Sequence, residues 1–187
     1  MNRRLLIPAL LALAALLVAR PLLDHSGGER GPPAATVKGP RLEARVVRAV
    51  DGDTLVASAG GRSFYVRLLG IDTPETHRPG TPVECGGPEA SSSTRALAPP
   101  GARIELQTDP TQDRVDRYGR LLAYVWLPDG RLLEAAQLES GWATTYVYRG
   151  RPVSLFGHLA AAERTAERDR RGVWAECGGD FHTASGR

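Results

Sequence analysis

Lysine is nearly missing from this chain: Lys38 is the only one, and every basic residue after it is arginine. Arginine suits bidentate contacts to phosphate, but the surrounding wealth of alanine, glycine and proline points to a GC-rich coding bias that accounts for the arginines without any ligand. Cysteine is scarce as well, with Cys85 and Cys177 the only two, and neither has ligand spacing with the histidines His25, His77, His158 and His182. That excludes a zinc-ligand pattern. No internal repeat and no second shift in composition divides residues 41–187, a length typical of one domain with its own core. A charge surplus is also lacking there. Of 24 basic residues, five (Arg3, Arg4, Arg20, Arg30, Lys38) precede residue 41, as do two (Asp24, Glu29) of 21 acidic ones, which leaves 19 of each sign in the domain. Net charge therefore says nothing about a nucleic-acid partner, and only the placement of individual arginines can.

What is present begins with a leader. Arg3 and Arg4 precede an apolar run at residues 5–19, interrupted by Pro8 and closed by Arg20, the order of segments found in export signals. The chain is expected to be exported, either secreted or periplasmic. A peptidase cutting after Ala19 would meet Leu17 where a small residue is expected, and Pro21-Leu22-Leu23 could extend the run. A retained membrane tether through residues 5–23, with the domain outside the cytoplasm, is the other reading, although residues 5–19 fall short of the roughly 20 needed to span a bilayer. Residues 1–23 are thus a signal peptide or signal anchor, 24–40 a flexible linker rich in Gly, Pro, Ser and Ala, 41–177 the domain, and 178–187 a disordered tail. An even pair of cysteines in an exported chain predicts one disulfide, Cys85–Cys177, joining the loop after Glu75 to the C-terminal tail.

Short Val- and Leu-rich runs at 42–50, 54–58 and 63–71 predict three strands in a meander, with Gly60-Gly61 as a tight hairpin turn. Alternation at 103–108 and an apolar run at 121–127 predict two more. Helices are expected at 88–98, where Pro88 and Glu89 open the first turn and a Ser-Ser-Ser-Thr centre lowers propensity, at 132–140, and at 154–171. In the last, Leu155, Leu159, Ala162 and Ala166 line one face, and Gly172 is placed to take a left-handed cap. Five strands and three helices predict an α+β domain, mainly β, built as a small closed oligonucleotide-binding (OB) barrel.

The chemistry gathers in three stretches: Asp51-Gly52-Asp53-Thr54, then Arg67 leading into Asp72-Thr73-Pro74-Glu75-Thr76, then Asp116-Arg117-Tyr118-Gly119-Arg120. Asp51-Gly52 alone is a common turn pair. Asp53 and Asp72 brought together without a cation would repel and raise one another's pKa, and oxygen-only ligands suit a hard metal ion. Arg67 lies in an otherwise apolar strand, where an unpaired guanidinium is costly, so it either neutralises a carboxylate such as Glu75 or receives a phosphate.

With Arg67-Leu68-Leu69, Gly87-Pro88-Glu89-Ala90 and the continuation Leu121-Leu122-Ala123-Tyr124, these segments resemble, all in order, the motifs of the thermonuclease family, from about Glu43 to Trp174. That resemblance implies an OB barrel and a Ca²⁺-dependent nuclease acting on single-stranded DNA, duplex DNA and RNA, breaking the 5′ P–O bond and leaving 3′-phosphates. It implies that Asp53, Asp72 and the Thr73 carbonyl hold Ca²⁺, that Glu75 orients or deprotonates the attacking water, and that Arg67 and Arg120 bind the phosphate. Arg117, Tyr118, Tyr146 and Tyr148 match the places that grip the terminal phosphate and stack on the base, although the tyrosines also fit a half-buried extended segment. A monomer is expected. Glu134 departs from the family, which usually has Asn there in a structural role. Two other classes are a catalytically silent OB module that binds nucleic acid, and an interaction scaffold; the first is expected to have lost some of Asp53, Arg67, Asp72, Glu75 and Arg120, and all five are present.

Overall fold

The computed structural model describes residues 36–76, 80 and 82–185; the expected signal segment, most of the linker and the last two residues lie outside them. Strands β1 (Leu42–Ala49), β2 (Thr54–Ala59) and β3 (Arg62–Leu68) form the expected antiparallel meander. Gly60 and Gly61 make the β2–β3 turn, both at positive φ (55° and 76°), which glycine adopts without penalty. After the short strand β4 (Ile71–Asp72) come helix α1 (Gly87–Leu97), β5 (Arg103–Gln107) and β6 (Leu121–Trp126). The remaining elements are α2 (Leu133–Glu139), β7 (Thr144–Thr145), α3 (Phe156–Arg168) and α4 (Val173–Glu176). Five strands close a barrel in the order β1-β2-β3-β6-β5, with β3 and β6 parallel and the other pairs antiparallel. Inside it pack Leu55, Val66, Leu68, Ile104, Leu106, Ala123 and Val125, all buried.

Three features differ from the sequence expectation. The apolar run at 63–71 is not one strand: Gly70, at φ 76°, turns the chain out of the barrel, and β4 pairs with β7 in a separate two-stranded sheet. A side chain at Gly70 would stand 2.7 Å from both Leu159 and Val153, so the break also lets α3 pack close. Leu69 and Ile71 are both buried, which is why hydrophobicity alone reads straight through it. The end of α3 is the second difference. Arg170, at φ 51°, takes the left-handed position, whereas Gly172 lies where the chain crosses Gly141, whose carbonyl oxygen is 2.5 Å from the place a Gly172 Cβ would occupy. The third is α4, a single turn that follows this crossing and brings Cys177 to Cys85, with Cα atoms 6.0 Å apart. Closing 92 residues with this disulfide contributes about 4 kcal/mol in the chain-entropy account.

The low-propensity centre of α1 carries side chains that bind elsewhere. Thr94 Oγ1 donates to the Gly52 carbonyl at 2.6 Å, and Ser93 Oγ donates to Gln137 Oε1 in α2. Gln137 Nε2 in turn donates to the carbonyls of Gly52 and Ala90, both at 3.0 Å. Glu134 is fully buried at the start of α2, and its two carboxyl oxygens accept the Val125 N–H at 3.1 and 3.3 Å, so the acid in this place is bonded to the main chain of β6. Burial pushes its pKa up to about 8, against main-chain N–H donors and the Arg67 charge, which pull the other way.

A carboxyl that holds its proton more tightly when folded stabilises the fold fully below its unfolded pKa of 4.5 and loses that contribution as pH rises towards 8. Between pH 5 and pH 8 the wild-type melting temperature should therefore fall relative to that of Glu134→Gln. Parallel melting curves across this range would show that Glu134 titrates as it does in the unfolded chain.

Candidate active site

The three aspartates around Arg67 come from the β1–β2 turn and from the short strand β4. Asp51 and Asp53 occupy the β1–β2 turn, closed by Val50 N–H donating to the Thr54 carbonyl, and Leu68 N–H donates to the Asp53 carbonyl at 2.8 Å. Arg67 lies opposite Thr54 in the β2–β3 register, and β4 brings Asp72 alongside. These residues line a cavity of about 280 Å³ with Thr73, Glu75, Glu84, Tyr118, Arg120 and His182.

One guanidinium nitrogen of Arg67 contacts both acids, Asp53 at 2.9 Å and Asp72 at 2.8 Å. The other donates to the carbonyls of Leu68 and Ile71, at 3.0 and 2.9 Å. Arg67 thus neutralises the two aspartates, where Glu75 had been the example expected. Asp53 Oδ2 also accepts the Thr73 N–H at 3.2 Å, and Asp51 Oδ1 accepts the Asp53 N–H at 3.0 Å. Burial and the neighbouring Asp53 charge push Asp51 up to about 7. Burial likewise raises Asp72 to about 6, with Arg67 opposing and Asp53 adding to the rise. Such acids call for positive charge among them. The described residues contain no group of three or more His, Cys, Asp or Glu side chains with metal-ligand geometry. A hard cation here would rest on the two carboxylates, a main-chain carbonyl and water, a donor set that suits Ca²⁺.

Arg120 is held by Asp116, which accepts from its Nε at 2.7 Å and from its main-chain N–H at 2.9 Å. Burial would raise the Asp116 pKa, but these bonds and the Tyr118 N–H outweigh it and hold the carboxyl below the usual range. Gly119, at φ 78°, closes this turn. A second cavity of about 530 Å³ shares Arg67, Asp72, Tyr118 and Arg120 with the first and adds Arg117, Tyr146 and Tyr148. The Arg117 guanidinium lies 4.7 Å from the Tyr118 ring centre and that of Arg120 lies 5.4 Å from it. Tyr118, Tyr146 and Tyr148 are all exposed, as stacking platforms must be and core residues are not.

The structure thus gathers all ten predicted site residues along two adjoining cavities. Sequence reasoning missed four participants. Asp51 was read as a turn residue and Asp116 only as part of a motif, although each has a side chain bonded to a neighbour four or fewer positions away. Glu84 and His182 carried no local signal at all. Beneath the site, Gly52 has no room for a side chain, since a Cβ would lie 2.6 Å from Thr73 Oγ1 and 2.9 Å from Ala90 Cβ. Gly52→Ala should cost about 1–3 kcal/mol by overpacking and should lower activity as well, because the displaced atoms belong to the turn of Asp53 and to Thr73. An unchanged melting temperature would mean that the turn moves freely.

Residues 65–176 match the family model described as staphylococcal nuclease homologue. Among curated proteins, a thermonuclease of Staphylococcus hyicus is 36% identical over 131 residues, 70% of this chain and 75% of that protein. A thermonuclease of Staphylococcus intermedius is 38% identical over 131 residues, 69% of this chain and 74% of that protein. Endonuclease YncB of Bacillus subtilis (strain 168) is 36% identical over 132 residues, 70% of this chain and 61% of that protein. The family model covers the end of β3 with Arg67, the segment of Asp72 to Glu75, the Asp116–Arg120 turn and α3, while the Asp51–Asp53 turn precedes it, and on this match and these relatives the chain belongs to the family of staphylococcal nuclease homologues.

Proposed function

We propose that the protein is an exported nuclease that hydrolyses phosphodiester bonds of DNA and RNA with Ca²⁺, breaking the 5′ P–O bond and leaving 3′-phosphate ends. The observation that carries this reading is the placement of Arg67 between Asp53 and Asp72 in one cavity with Glu75 and Arg120. Asp53, Asp72 and the Thr73 carbonyl are the residues that would hold Ca²⁺, which when bound supplies positive charge to a phosphate oxygen. Glu75 orients the attacking water and takes up its proton. The water oxygen bonds to phosphorus as the bond to the 5′ oxygen breaks, and the leaving oxygen gains a proton. Arg67 and Arg120 neutralise the charge that grows on the phosphate, Arg120 from a position fixed by Asp116. Arg117 grips a terminal phosphate, and Tyr118, Tyr146 and Tyr148 stack on bases, a sequence-tolerant mode of binding. The disulfide and the leader pattern support export.

Digestion of single-stranded DNA, duplex DNA and RNA, with Ca²⁺ and with excess chelator, tests the reading. Cleavage should need the metal and leave 3′-phosphates, and Glu75→Gln and Arg120→Gly should each slow it by several orders of magnitude while the fold survives. Binding without cleavage in any divalent metal would make the domain a silent OB module instead. Tyr146→Ala should weaken binding of a nucleotide analogue more than it shifts the melting temperature; the reverse result would place Tyr146 in a structural role.

A further inference from the structure

The segment after α4 was expected to be disordered, yet its described residues 178–185 run back to the active site. Cys85 N–H donates to the Thr183 carbonyl and Ser185 N–H to the Val83 carbonyl, each at 2.8 Å, around a bridge between Glu84 and Ala184. Phe181 is buried edge-on against Trp174, with ring centres 5.3 Å apart, and Asp180 Oδ1 accepts the His182 N–H. The Cys85–Cys177 disulfide joins the two segments covalently.

The ties converge on Glu84. Its side chain is buried, and Oε2 accepts the Glu75 N–H at 2.6 Å while Glu84 N–H donates to the Glu75 carbonyl at 2.9 Å. The main chain of Glu75 is therefore clamped on both sides by one residue. His182 Nδ1 lies 3.4 Å from that same Oε2, and its ring is 61% exposed at the mouth of the cavity. A carboxylate oxygen with two directed neighbours is restrained in rotation, whereas one with a single neighbour can swing away and leave the Glu75 N–H without an acceptor.

We propose that the C-terminal tail is a working part of the active site, in which the disulfide-held His182 steadies Glu84, and Glu84 positions the main chain of the water-orienting Glu75. His182 and Glu84 are then positioning residues for the cleavage step, and reduction of Cys85–Cys177 lowers turnover by freeing the tail. The proposal rests on the nuclease reading for its kinetic consequence but not for its structural one.

The test uses the full chain. His182→Ala, at an exposed position, should leave the melting temperature unchanged and lower kcat on the order of 10- to 100-fold with KM unchanged, the size of effect seen when a supporting shell is removed. His182→Gln, which keeps a polar group within reach of Glu84, should recover part of the loss. The Cys85→Ser/Cys177→Ser pair should lower kcat too, and adding His182→Ala to it should cost little more, because both changes remove the same restraint. Hydrogen exchange at the Glu75 amide should speed up in His182→Ala, a readout that needs no substrate. Wild-type kcat in His182→Ala, a rise in KM alone, or unchanged Glu75 exchange would overturn the brace. Failure of the wild-type protein to cleave any nucleic acid would sink the nuclease reading instead, leaving the exchange result to decide this one.

Discussion

Asp51, Asp53 and Asp72 are driven into one half-buried corner, and the repulsion among them is the constraint that the rest of the structure answers. Arg67 is the answer within the chain itself. Its guanidinium is shared by Asp53 and Asp72 on one side and pinned by the carbonyls of Leu68 and Ile71 on the other. Those two carbonyls face it only because the chain turns out of the barrel at Gly70. The strand break, the close approach of α3 and the placement of positive charge are thus one structural fact. A buried ion pair of this kind adds little to stability once desolvation is counted, so its presence is better understood as a means of holding charge in a fixed place.

The same logic extends outward through polar side chains bonded to the turns and strands around the site. Thr94 and Gln137 hold the carbonyl of Gly52, and Glu134 holds the N–H of Val125 in β6. Asp109 accepts bonds from Tyr124 and from both the N–H and the hydroxyl of Ser154, which fixes the start of α3. Glu163 on α3 accepts from the hydroxyls of Thr144 and Thr145, and so sets β7, the partner strand of Asp72. Helical serine, threonine and glutamine at these places give up some local propensity, and the fold gains loops whose polar groups are satisfied. The barrel supplies rigidity, and these bonds transmit it to the segments that line the cavity.

The disulfide adds a second frame around the first. It joins the segment that faces Glu75 to the end of α4, and the crossing of Gly141 and Gly172, where neither glycine has room for a Cβ, sets the direction from which α4 arrives. One edge of the cavity is therefore built around barrel strands and the other by a loop and tail that pair with each other.

Much of this was legible from residue order. The five barrel strands, three main helices, the Gly60-Gly61 turn and the cysteine pair each leave a short-range mark, because hydrophobic period, turn chemistry and cysteine count are properties of neighbouring residues or of composition. The site motifs were legible for the same reason: Asp116 to Arg120 is a turn that bonds to itself, and Asp53 and Asp72 each sit in a compact segment. What residue order left open was which distant groups meet. Gly70 looks like one more residue of an apolar run, Glu84 like any loop acid, and His182 like part of a polar tail. Their roles come from closure of the barrel, the packing of α3 on the break, and a covalent tie across 92 residues. Such long-range pairings are decided by the total packing and satisfaction of buried polar groups, and no local stretch of sequence carries that sum.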